Sequence, residues 1–138
     1  MTLTPVKTLE RLTAADVMTK KFVSVSPADS PFAAYDLITK HNVHHLPVVD
    51  PEGRCVAMLD SVTAIARASE TLLHGHTKLL ELQGSSGPVC VAPNASLRQV
   101  AIEMTITGAD ACVIVDDQGR MLGLVTARDI VKAVASAL

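Results

Sequence analysis

Leu46-Pro47-Val48-Val49-Asp50-Pro51-Glu52-Gly53-Arg54-Cys55-Val56-Ala57-Met58-Leu59 is answered 66 residues later by Cys112-Val113-Ile114-Val115-Asp116-Asp117-Gln118-Gly119-Arg120-Met121-Leu122-Gly123-Leu124-Val125. Each stretch is a pair of β-rich runs around an acidic joint, the pattern of a hairpin whose glycine, Gly53 or Gly119, takes positive φ. Working outward, the same shift lays residues 22–64 over 88–130 without a gap, with nine identical pairs in 43 positions. The pairs are Val23/Val89, Val25/Val91, Pro27/Pro93, Ser30/Ser96, Thr39/Thr105, Val49/Val115, Asp50/Asp116, Gly53/Gly119 and Arg54/Arg120. A gapless internal repeat fixes the architecture before any single residue does.

Each copy begins with a short β-like piece, Val23 to Val25 or Val89 to Val91, that runs into a proline. Asp29 or Ser30, and Asn94 or Ser96, then stand where a helix N-cap is wanted. The helices that follow, at about 32–41 and 97–107, place Ala34, Leu37 and Ile38, then Val100, Ala101 and Met104, at helical spacing, so each buries one face. After the hairpin a second helix closes each unit, at about 61–68 and 127–137. The order is β-α-β-β-α, twice, which predicts an α/β fold. Residues 1–68 then form the first repeat with its N-terminal segment, and 88–138 the second. The stretch between them, 69–87, reads as a linker that is helical only in part, because Gly75 interrupts it and Gln83-Gly84-Ser85-Ser86-Gly87-Pro88 is a flexible joint.

Composition narrows the function. The chain has 138 residues, 49% of them hydrophobic, and a positive mean hydropathy, which suits one domain with a substantial core. Phe22, Phe32 and Tyr35 are its only aromatics, so the packing is aliphatic and any base-binding wall would be aliphatic too. The net charge is −2, with Lys and Arg scattered singly, which removes the basic surface a nucleic-acid binder needs. No apolar stretch approaches the ~18 residues of a membrane span, and the first dozen residues lack a signal-peptide core. The reading is a cytoplasmic protein. Cys55, Cys90 and Cys112 are odd in number, far apart and set in apolar runs, as small buried hydrophobes in a reducing compartment would be.

The repeat resembles the cystathionine β-synthase (CBS) domain family. In the first copy the familiar stretches are Asp16-Val17-Met18-Thr19, Val25-Ser26-Pro27 and His41-Asn42-Val43-His44-His45-Leu46-Pro47-Val48-Val49-Asp50. In the second, Gly123-Leu124-Val125-Thr126-Ala127-Arg128-Asp129-Ile130 looks like the family's nucleotide signature. The resemblance implies two units packed as a pseudo-two-fold disc, pairing as a homodimer, and sensing an adenosyl ligand for an enzyme or transporter supplied in trans. It also implies site residues. A carboxylate at Asp129 would accept from both ribose hydroxyls, and a hydroxyl at Thr126 would meet phosphate. Phe22, Val23 and Ser24, with Val43, His44 and His45, would supply the other side of a shared pocket. There Val23 and Val43 would be adenine walls, while His44, His45 or Arg128, with Lys20 or Lys21, would meet phosphate. The ligand class is an adenine nucleotide (AMP, ADP, ATP) or S-adenosylmethionine, as a regulatory ligand and not an obligatory cofactor.

Thr126 and Asp129 have a plainer reading as a helix capping box, and the two roles are compatible. In the first copy Asp60 replaces Thr126, Thr63 replaces Asp129, Val62 replaces Arg128 and Asp110 stands opposite His44. Thr63 is a poor bridge for two ribose hydroxyls. Asp60 and Asp110 would each repel a nearby phosphate by about 1 to 4 kcal/mol. One ligand per chain is therefore expected, with Asp60 kept as an N-cap. Three other readings stand beside this one. His41, His44, His45, His74 and His76 suggest metal binding, strongest at His74-Gly75-His76, but no carboxylate or thiol sits at ligand spacing. Catalysis would need an activated nucleophile, and the cysteines lie in predicted strands where burial leaves them inert. The third is a ligand-free module for dimerisation or protein interaction, for which the Ala-rich faces of 64–68 and 130–137 would serve.

Overall fold

A computed structural model describes residues 8–75 and 87–138. A 3-10 turn at Leu9–Arg11 and a one-turn helix α1 (Ala14–Val17) precede α2 (Pro31–His41), β1 (His45–Val49), β2 (Cys55–Asp60) and α3 (Ser61–His74). Then follow β3 (Cys90–Val91), α4 (Leu97–Thr107), β4 (Ala111–Val115), β5 (Met121–Thr126) and α5 (Ala127–Ala137). The described residues fall into a central unit within Phe22–Pro88 and a terminal unit that joins residues up to Lys21 to Val89–Leu138.

In the central unit β1 and β2 pair antiparallel, and Val25 makes a parallel bridge to Val48. Ser30 caps α2 by accepting from the Ala33 N–H at 3.3 Å, Pro31 takes the first helical position, and Asn42 ends the helix in the left-handed region at φ 51°. The face that α2 turns inward, Ala34 and Ile38, meets Val25, Leu46, Val48, Ala57, Leu59 and Ala64 in one aliphatic cluster. Phe32 and Tyr35 lie outside it and are exposed.

The terminal unit repeats this plan. Strand β3 pairs parallel with β4, and β4 antiparallel with β5. Ser96 caps α4 by accepting from Gln99 N–H at 3.0 Å, and Gly108 ends it at φ 70°. The correspondence reaches single bonds. Asp50 Oδ1 accepts from the N–H groups of Glu52 and Arg54 at 3.0 and 2.9 Å, and Asp116 Oδ1 from those of Gln118 and Arg120, both at 2.9 Å. Gly53 and Gly119 take φ 86° and 80°, as the hairpin joints require.

Four expectations are corrected or refined. Helix α3 runs six residues past the expected end at Ala68, to His74, and Gly75 closes it at φ 94°. The first β-like piece is reduced to the Val25 bridge, and the second to Cys90–Val91. The division at residue 68 gives a boundary in sequence, but the packing differs, because described residues up to Lys21 join the second repeat. The Ala64 to Ala68 face is not free, since Ala64 and Ala68 are buried, and the apolar side chains that α3 exposes are Val62, Ile65, Leu72 and Leu73. On α5, Ile130 packs against the terminal core while Val131 and Val134 are exposed. The expected joint at 83–86 and His76 lie outside the described residues.

Candidate functional site

Helix α5 begins where β5 ends, and its start is held by a reciprocal cap. Asp129 N–H donates to Thr126 Oγ1 at 3.2 Å, while the Thr126 N–H and hydroxyl donate to Asp129 Oδ2 at 2.9 and 3.1 Å. This is the capping box the sequence offered as the plainer reading. Capping by itself does not mark a ligand site, because Thr13 and Asp16 form the same box on α1. Asp129 differs in its second neighbour. The Thr19 hydroxyl, 110 residues away in sequence, lies 3.4 Å from each carboxylate oxygen, astride the edge that Thr126 leaves open. A carboxylate offers about four lone-pair positions. Oδ2 fills two with Thr126, and Oδ1 carries only the long contact to Thr19. Hydrogen-bond acceptance for a diol is therefore available at this helix start, where the helix dipole also favours an anion.

Thr19 is the residue that sequence reasoning missed. Its backbone forms an antiparallel bridge to Leu124, with N–H groups donating in both directions at 2.8 and 3.1 Å. The close approach depends on Gly123, since a Cβ there would stand 2.7 Å from the Thr19 carbonyl oxygen and 3.0 Å from the Met18 sulfur. The signal was present in the sequence: a glycine inside a strand marks a close backbone neighbour, and the equivalent position in the first copy is Ala57.

Among the other expected residues, Arg128 is exposed beside Asp129 on the first turn of α5. Val23, Ser24, Val43, His44 and His45 belong to the central unit, where Val23 and Val43 pack partly buried against its core, and Ser24 and His44 are exposed. The His44 carbonyl accepts from Ser61 N–H at 3.1 Å, and in the terminal unit the Asp110 carbonyl accepts from Ala127 N–H at 3.0 Å. The two loops thus have equivalent backbones and differ in the side chain presented, imidazole against carboxylate. Lys20 and Lys21 are exposed directly after Thr19. At the start of α3, Asp60 accepts from Thr63 N–H at 2.6 Å, so the acid there is the cap, and no carboxylate occupies the position equivalent to Asp129.

Among the described residues, no group of three or more His, Cys, Asp or Glu side chains gathers as a metal site would, and no helix is long and apolar enough to cross a membrane. The cysteines differ from one another. Cys112 is buried, with burial first, then Cys90 and Glu103, pushing its pKa up to about 11. Cys90 is exposed, against expectation, because β3 is short and lies at the sheet edge; local desolvation still raises its pKa. In both thiols desolvation disfavours the thiolate.

The CBS domain family matches the chain twice, over residues 14–66 and 84–136. The L-aspartate semialdehyde sulfurtransferase of Methanocaldococcus jannaschii is 29% identical over 118 residues, which cover 83% of this chain and 22% of that protein. The chain thus spans about a fifth of the length of that curated relative. The fold is similar to the CBS domain pair of protein MJ0100 in complex with 5′-methylthioadenosine and S-adenosyl-L-methionine, with TM-score 0.76, 24% identity, and 91% and 98% of the two chains covered. It is also similar to CBSX2 in complex with AMP, with TM-score 0.77, 24% identity, and 91% and 97% covered.

Proposed function

Because this chain belongs to the CBS domain family and carries its unit twice, we propose that it is a regulatory module that binds one adenosyl ligand and catalyses no reaction. The observation that carries this reading is the start of α5, where Asp129 keeps acceptor capacity on Oδ1 while its other oxygen is fixed by Thr126. Asp129 would take the ribose hydroxyls, and Thr126 and Arg128 the phosphate or its equivalent. Val23, Ser24, Val43, His44 and His45 are proposed as the adenine and phosphate partners on the first-repeat side. The equivalent site of the first copy is proposed to be silent, since Asp60 and Asp110 bring negative charge and Thr63 supplies no carboxylate. The adenosyl class draws support from MJ0100 and CBSX2, whose structures hold such ligands.

Thermal shift against AMP, ADP, ATP, S-adenosylmethionine and NAD tests the proposal. A ligand at a hundred times its dissociation constant adds about 2.7 kcal/mol of stability. Asp129→Ala should abolish that gain and Thr63→Ala preserve it. No shift from any of these compounds would sink the reading, and equal losses in both variants would sink the asymmetry.

A second reading, association with another protein or a second copy, is favoured by one observation. Helix α3 exposes Val62 at 75%, Leu72 at 75% and Leu73 at 79%, and α5 exposes Val131 at 65%. Sedimentation of the wild-type chain against Leu72→Asp/Leu73→Asp checks it. Pairing that survives both charges would remove α3 from the contact.

A further inference from the structure

The segment that brings Thr19 to Asp129 is held along its whole length by the second repeat. Ala14 N–H donates to the Ala95 carbonyl at 2.8 Å, Ala15 N–H to Pro93 at 3.0 Å, and Leu97 N–H to Leu12 at 2.8 Å. Ala14 is fully buried among Val100, Met104, Cys112, Ile114 and Val125, and Val17 and Met18 pack against the same cluster. The segment ends at the Thr19–Leu124 bridge, and two residues later, after Lys21, the chain leaves for the central unit. The arm's bridge at Thr19 therefore lies beside the carboxylate proposed to grip the ligand.

We propose that residues 13–19 are a coupling arm, with Gly123 the position that admits it and Thr19 the positioning residue that ties its docking to occupancy at Asp129. The proposal rests on the adenosyl reading above. A threonine hydroxyl donates one hydrogen bond and accepts two. At 3.4 Å from both oxygens it holds Asp129 loosely, beyond the 2.5 to 3.0 Å of a good hydroxyl bond. A diol donating to Asp129 brings its oxygens within reach of that hydroxyl, which donates to one of them in place of its long contact to the carboxylate. The docked arm then adds a partner for the ligand, and by reciprocity the ligand holds the arm down. Gly123 matters because the arm's carbonyl lies 2.7 Å from where a Cβ would stand. The obstructing atom is backbone, so it cannot swing aside. The first copy has Ala57 at the equivalent position.

Amide hydrogen exchange and ligand titration on the full chain, with AMP, ATP and S-adenosylmethionine as probes, test the coupling. In the wild type, the probe that binds should slow exchange at the Thr19 and Leu124 amides. Gly123→Ala should speed exchange at those amides without ligand and weaken binding by about two- to tenfold, the worth of one hydrogen bond. Thr19→Val keeps the backbone bonds and the side-chain shape, so it should weaken binding by a similar factor while leaving exchange in the free protein unchanged; it also decides the matter if Gly123→Ala does not fold. Unaltered affinity in Thr19→Val, or amides indifferent to a bound probe, would overturn the coupling and leave the proposed function standing. Failure of all three probes to bind the wild type would instead overturn the proposed function, and the coupling with it.

Discussion

At Asp129 one carboxylate serves the helix and is proposed to serve a ligand, which separates what its loss should do. Asp129→Ala removes both bonds from Thr126, so the free protein should lose about 0.5 to 2 kcal/mol, the usual worth of a cap, in addition to its ligand response. Urea denaturation of the ligand-free protein measures the first effect alone. Cys112 carries a different signature. Its pKa is raised in the fold from 9.0 to about 11, so between these values the unfolded chain binds fewer protons than the native one. Stability should therefore fall as pH rises from 9 towards 11. Cys112→Ala should flatten that decline, as chemical denaturation at stepped pH would show.

At the scale of elements, the two hairpins are equivalent in backbone and in the aspartate that closes each, so their glycines should matter equally. Gly53→Ala and Gly119→Ala place a Cβ at φ 86° and 80°, and each should cost about 1 to 2 kcal/mol of stability while leaving ligand affinity unchanged. A loss confined to one repeat would contradict that equivalence. Asp116 is held below the ordinary carboxylate value, first by the Arg120 N–H and also by Gln118 N–H and the Arg120 side chain. Its stabilisation is present above pH 3.8 and is lost as pH falls through the lowered value. The carboxyl resonance of Asp116 in an acid titration should accordingly move at lower pH than that of an unstructured aspartate.

For the whole molecule, the arm makes the terminal unit depend on residues that sequence order assigns to the other repeat. Removing residues 1–19 uncovers the cluster of Val100, Met104, Ile114 and Val125. Amide protection should then fall in α4, β4 and β5 and persist in β1 and β2, which draw their core from Val25, Ala34, Ile38 and Leu46. Uniform loss across both units would mean that the arm acts on the chain globally and not through its local core.

Most of the fold was legible because a repeat constrains it twice. The 66-residue shift fixes α2 against α4, β1 against β4 and β2 against β5 residue for residue, and local signals such as Ser30, Ser96, Gly53 and Gly119 mark their ends. The cap at Thr126 and Asp129 was legible too, since its partners are three residues apart. What the sequence could not settle by periodicity were contacts between distant segments: that α3 buries Ala64 and Ala68 and exposes Leu72 and Leu73, and that Thr19 lies against Asp129. Periodicity reports which face of an element is apolar, not which neighbour covers it. By itself, then, the sequence determined the repeated β-α-β-β-α plan and the asymmetry of its two signatures. Only the tertiary structure decided that the arm belongs to the second repeat, because backbone pairing at Leu124 and the space left by Gly123 exist only once the chain has closed on itself.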